Sequence, residues 1–287
     1  MPIMVLSVYA ALVVWAVLLV RGLRGHSYRS FLLFGIGLML FLNIGYFING
    51  VPASIASFIG IYDVLINIGL AQDTNAAAIS RCVDNACTVW GDQFLNHPAW
   101  GAAFYDRFAN GPDFRSTLLY GHIGFNSVAF VLMHIQLFRP GYGENRQQHR
   151  LIGRIAFASL TLSVICATWL ASQHGPVTEY GGALAEYGFY SMAAFVYACA
   201  VMGIVKARSG DMEAHRVWMF RFMGSMWGSF WLFRVLLFVI DPLFRNYEAV
   251  AILTCIWASA PLGIFIGELI RRRLDERSVG AAAAAAG

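Results

Sequence analysis

The sequence predicts an all-α membrane protein, a bundle of seven transmembrane helices. Three observations predict it. Hydrophobic residues make up 59% of the 287 positions and charged residues only 13%, against about 25% charge in soluble domains. Several apolar runs reach the roughly 18–20 residues needed to cross about 30 Å of hydrocarbon. The basic residues gather at the ends of those runs. Alternation in units of about ten residues, the mark of an outer-membrane barrel, is absent. A net charge of +4 and a pI near 8.9 do not point to nucleic acid, because membrane orientation alone accounts for where the Lys and Arg fall.

Spans are expected near residues 3–20, 30–50, 116–138, 152–173, 183–205, 217–240 and 248–270. The first is retained rather than cleaved. It lacks a basic leader and is followed by Arg21 and Arg24, not by a small-residue cleavage site. Alternate connections then carry the charge: Arg21, Arg24 and Arg29; Arg139, Arg146, Arg150 and Arg154; Lys206, Arg208, Arg216 and Arg221; Arg271, Arg272, Arg273 and Arg277. These are 15 of the 20 basic residues. Basic residues are retained on the cytoplasmic side, so the N-terminus is expected outside and the C-terminus in the cytoplasm of a bacterial inner-membrane protein. The chain divides into two first spans (1–50), an external cap (51–115), a five-span core (116–277) and a disordered alanine-rich tail (278–287).

The beginning of the cap, Val51–Leu70, is apolar but contains Asp63 and Asn67. Counted as a span it would put the later basic loops outside, so an interfacial or re-entrant helix is expected instead. The rest of the cap is rich in Asp and aromatics and suits a partner membrane subunit or a periplasmic protein. Cys82 and Cys87, spaced C-x4-C, suggest a disulfide in an oxidising compartment. A metal site with Asp92 and His97 is the alternative. Cys166, Cys199 and Cys255 fall in spans, as small apolar packers.

The segment Gly210–Asp241 combines a charged entry with a long apolar run. Within it, Gly224-x3-Gly228 predicts a notch for a close helix. Arg234 sits among apolar neighbours, where a charge at membrane depth must face the bundle and find a partner. Trp231 is the expected stacking partner, with Asp241, Glu186, Glu248 and Asp63 as candidate acids.

Histidines from neighbouring helices are how membrane bundles hold b-type haem. An outer pair, His122 with His174, and an inner pair, His149 with His215, are available. The rival reading is capping at helix ends. His134 lies too far round the third span from His122 to share a ligand with it. Two inner-face motifs repeat a pattern: His149-Arg150-x2-Gly153-Arg154 and His215-Arg216-x-Trp218-Met219-x-Arg221. Each presents a His and two Arg at the start of an outward helix, donors suited to a propionate, a phosphate or a quinone oxygen. Positive-inside anchoring alone would also place Arg here. No span holds a lysine for retinal, and there is no phosphate-binding glycine loop, no HExxH and no serine elbow.

These two motifs, the second preceded by Gly210-Asp211, resemble a family of predicted bacterial membrane proteins defined by a domain of unknown function. The resemblance covers roughly Thr117–Phe238. It implies a polytopic inner-membrane protein in which these His and Arg matter, and it brings no activity or substrate.

The functional expectation is a redox-associated membrane subunit binding b-type haem, quinone or both. His122, His174, His149 and His215 form the ligand pool, with Arg150, Arg154, Arg216, Arg221, Trp231 and Arg234 lining the cofactor. The alternatives are a non-catalytic accessory or assembly subunit docking through its cap, and a small-solute transporter with Arg234 as an anion anchor.

Overall fold

The computed structural model describes residues 2–51, 53–54, 67–69, 113–138, 145–172, 183–240 and 248–286. Among these, regular structure is entirely helical. The helices are α1 (Pro2–Leu23), α2 (Arg29–Asn49), α3 (Asp113–Phe138), α4 (Arg146–Ser172), α5 (Ala183–Arg208), α6 (Met212–Trp227), α7 (Phe233–Ile240) and α8 (Glu248–Ala286). A π-helical turn, Gly228–Leu232, joins α6 to α7 into one rod. By length and composition, Arg29–Asn49, Phe114–Leu137, Arg146–Ser172, Leu184–Arg208 and Leu253–Arg277 can each cross a membrane.

The helices outrun the expected spans where polar entries add turns. α4 and α6 begin in the basic segments that hold His149 and His215. Asp211 caps α6, its carboxylate accepting the Ala214 N–H at 3.0 Å, which satisfies one of the orphan donors of a first turn. Gly210, at φ 81°, supplies the left-handed residue that closes the tight α5–α6 turn. The alanine tract, expected as a frayed end, continues α8 to Ala286; alanine is the strongest intrinsic helix former.

Side-chain pairings fix the helix directions. Asn43 Nδ2 donates to Ser127 Oγ at 2.8 Å and the Val51 N–H to Tyr120 Oη at 3.2 Å. The end of α2 therefore lies beside the start of α3. Gln136 Nε2 donates to His149 O at 2.6 Å, while Ser163 pairs with His122, so α3 and α4 are antiparallel. His215 Nδ1 donates to Gly203 O at 2.7 Å, so α5 and α6 are antiparallel too.

α3 packs on both α4 and α6, and α5 packs on the same two. This is a four-helix ring with α4 and α6 on its diagonal. α8 lies against α5 and α6, α2 against α3, and α1 against α2 and α8. The largest core collects Trp15, Phe31, Met39, Phe130, Met133, Met223, Trp227 and Trp231. Trp15 stacks on Trp227 at 5.7 Å and on Trp231 at 6.0 Å between ring centres.

α6 and α8 meet backbone to backbone. A Cβ built on Gly224 would strike Gly263 O, and one on Gly263 would strike Gly224 O. The expected notch Gly224-x3-Gly228 is matched by Gly263-x3-Gly267 on the partner. Small residues on both sides let the two backbones touch, and contact of this kind drives association where lipid removes the hydrophobic drive.

Candidate functional site

His149 and His215 occupy the first turns of the diagonal helices α4 and α6. Their ring centres are 6.3 Å apart with planes at 88°. His215 is buried, and its Nδ1–H is held by the Gly203 carbonyl. In the neutral ring that bond selects the tautomer with the proton on Nδ1. A carbonyl holding the far ring nitrogen is also what orients a metal-ligating histidine. Gln136 fixes the backbone of His149 from α3. The inner pair expected from the sequence is thus brought together in the centre of a helix ring, where facing helices build cofactor sites in bundles.

Two of the arginines expected to line a cofactor are occupied elsewhere. Arg216 pairs with Asp275. Arg221 lies 3.8 Å from Glu268 and over the Trp218 ring at 4.7 Å. Arg271 bonds both acids, at 2.6 Å to each. The His215 end of α6 is therefore joined to α8 by a carboxylate-guanidinium belt. The reason is plain: α8 continues past the expected span and carries Glu268 and Asp275 alongside α6. Arg150 and Arg154 on α4 are exposed and enter no ion pair among the described residues. Arg277 completes this face by donating to Gly22 O at 2.6 Å and His26 O at 2.9 Å, the end of α1.

The outer pair is half described. His122 on α3 meets Ser163 on α4: its Nδ1 is 3.2 Å from the Ser163 carbonyl and 3.0 Å from Ser163 Oγ. His174 lies outside the described residues, as do Cys82, Cys87, Asp92, His97, Asp63 and Asp241. Cys199 and Cys255 are buried, and Cys166 is partly so, in keeping with packing roles.

Arg234 departs from expectation. Its guanidinium lies over Phe230, 4.0 Å from the ring centre, and Nη1 donates to Phe230 O at 2.6 Å. Trp231, the expected stacking partner, turns to Trp15 instead. The π turn explains the change. Phe233 N–H bonds Gly228 O, one residue further back than in an α-helix, so the faces beyond the turn are rotated from α spacing. Glu186, an expected acid partner, accepts from Tyr190 Oη at 2.5 Å. Tyr46 of α2 lies within electrostatic reach of Arg234.

One polar pair escaped sequence reasoning. His134 is buried, donates through Nδ1 to Phe130 O at 2.7 Å, and accepts at Nε2 from Trp227 Nε1–H at 2.8 Å. Both ring nitrogens are spent, so His134 is a neutral structural residue. A cavity of about 10 Å³ lies nearby, among Trp15, Trp227, Gly224 and Gly263. It has room for about one water, and none for a quinone ring. No group of three or more His, Cys, Asp or Glu among the described residues could hold a metal ion.

The sequence model of a family described as "Predicted membrane protein (DUF2306)" matches residues 119–267. The match takes in α3 to α6, both His-Arg motifs and the glycine seam. The chain belongs to that family. No curated protein and no solved structure matches it.

Proposed function

We propose that this family member is a redox-associated membrane subunit in which His149 and His215 hold a b-type haem. The observation that carries the reading is the facing pair across the α4–α6 diagonal, ring centres 6.3 Å apart. His149 and His215 would be the residues that hold the iron, neutral imidazole being an ordinary haem ligand. The donor chemistry fits as well: the Gly203 carbonyl holds His215 Nδ1 and leaves Nε2 as the nitrogen for a ligand, and α3 and α5 each pack on both α4 and α6. A haem bound there would supply one-electron transfer. The chain's own part is to fix the His215 ring through Gly203 and the backbone of His149 through Gln136, and to offer Arg150 and Arg154 to propionates.

In this reading the chain crosses a bacterial inner membrane seven times. α1 and the α6–α7 rod complete the five helices of sufficient length. The directions of α2 and α3 support the count: the end of α2 lies beside the start of α3.

A second reading, a non-catalytic accessory subunit, draws on the belt that absorbs Arg216 and Arg221 into structure. The visible spectrum of detergent-purified protein, oxidised and then reduced with dithionite, separates the two. The haem reading expects sharp reduced bands, lost in His149→Ala and His215→Ala while His134→Ala keeps them. A featureless spectrum from folded protein would overturn it and put the accessory reading first.

A further inference from the structure

The turn between α1 and α2 carries positive charge that the protein does not neutralise. Between Met1 and Tyr62 the sequence holds no acid; Asp63 is the first. Arg21, Arg24 and Arg29 are exposed and enter no ion pair among the described residues. Elsewhere at this end the pattern is the reverse. Arg216, Arg221, Arg271, Arg272 and Arg273 each pair with Glu268, Asp275 or Glu276. Nor do Arg21 and Arg24 cap the helix they close, a common use of basic side chains at a C-terminus. The carbonyls there are met by other groups. The His26 N–H reaches Arg21 O at 3.1 Å and the Gly25 N–H reaches Gly22 O at 3.2 Å. Arg277 of α8 donates to Gly22 O and His26 O.

Placement on the helices is the second observation. Val17, Val20, Arg21 and Arg24 keep the i, i+3, i+4, i+7 spacing of one helix face, and all four are exposed. On α2, Arg29 shares a face with the exposed Leu33, Gly37 and Leu40. Each apolar stripe thus runs directly into a guanidinium. The bonds from Arg277 and the Arg216–Asp275 pair put this turn at the His215 end of the bundle. A ligand with an oxyanion head and apolar tails matches both parts: tails along the stripes, phosphate on the guanidinium forks, whose geometry suits it. An acidic protein would engage the charges and leave the stripes unused. We propose that Arg21, Arg24 and Arg29 form a docking site for the headgroup of an anionic phospholipid. The site shares no residue with the haem reading and does not rest on it.

The test is thermal unfolding, followed by tryptophan fluorescence, of full-length protein in uncharged detergent with increasing phosphatidylglycerol, phosphatidylcholine or inorganic phosphate. Phosphatidylglycerol is expected to raise the wild-type midpoint, and the other two to leave it in place. An equal response to inorganic phosphate would mean a bare anion site and would overturn the lipid assignment. Arg21→Gln/Arg24→Gln is expected to keep the wild-type midpoint in lipid-free detergent, since neither side chain is bonded within the described protein. It is expected to need roughly thirtyfold more phosphatidylglycerol for half the shift, at about 1 kcal/mol for each arginine lost. Arg146→Gln/Arg208→Gln removes the same charge from α4 and α5 at the same end and is expected to respond as wild type. Equal weakening in the two double variants would mean attraction to a positive face rather than a site, and would overturn the proposal. Should Arg21→Gln/Arg24→Gln fail to fold, Arg29→Gln leaves α1 intact and is expected to weaken the response about fivefold. An unweakened response in whichever of these folds would also overturn it.

Discussion

The indole N–H of Trp227 on α6 donates to Nε2 of His134 on α3 across 2.8 Å. Because the other ring nitrogen of His134 is tied to Phe130 O, Trp227 has one acceptor to meet and meets it. The neighbouring Trp231 is as deeply buried, yet its Nε1–H has no partner among the described residues.

That contrast gives the first prediction. Trp227→Phe removes the indole donor to the buried His134 Nε2 and is expected to cost about 1–3 kcal/mol. Trp231→Phe removes an unpaired donor and is expected to cost less, chiefly for lost packing. Chemical denaturation in detergent checks both. Equal losses would mean that the Trp227–His134 bond contributes nothing beyond ring burial.

The glycine seam gives the second. Gly224→Ala places a methyl against Gly263 O, and Gly263→Ala against Gly224 O. Backbone cannot yield as a side-chain tip can, so each is expected to cost at least about 1–3 kcal/mol of overpacking. Gly37→Ala is the control, since nothing lies within 4 Å of its added Cβ. It is expected to be neutral or to stabilise by up to about 1 kcal/mol. A tolerated Gly263→Ala would show that α6 and α8 do not pack this closely.

The belt gives the third. Glu268 is 17% exposed and lies near Arg221, Arg271 and Arg272, whereas Glu276 is 62% exposed and, among the described residues, pairs with Arg273. Glu268→Gln is expected to cost about 1–2 kcal/mol and Glu276→Gln less than about 0.5, as exposed pairs contribute little. High salt should narrow the difference. If it does not, the loss at Glu268 is not electrostatic.

The fourth concerns orientation. A fluorescent protein fused after Arg277 is expected to fold and fluoresce in the cytoplasm, and alkaline phosphatase inserted within residues 71–112 to be active outside. Phosphatase activity at the C-terminus instead would reverse the orientation drawn from the basic loops.

The helices themselves were legible because apolar length and basic flanks are written along the chain. So was the pairing of His149 with His215: both open helices that follow basic segments, and the direction of each span puts them at one end. What could not be read was which side of each helix meets which neighbour. Arg216 and Arg221 looked free because their acids, Glu268 and Asp275, lie on a helix that runs on past its apolar stretch. The Trp227–His134 bond joins residues 93 apart, and nothing local marks either one. Trp231 was assigned to Arg234 on α-helical spacing, and a single π turn was enough to hand that place to Phe230.

Arg277 ties the final helix to the first. Its guanidinium reaches Gly22 O, 255 residues earlier in the chain, while the face of α8 fills the seam on α6. During synthesis, α1 and α2 are made long before the segment that holds their turn. The first hairpin must wait there with its end carbonyls and one flank unclaimed. A chain cut short before α8 would thus be inserted and yet unfinished, with its opening hairpin and the bare glycines of α6 exposed to whatever surveys the membrane for incomplete proteins.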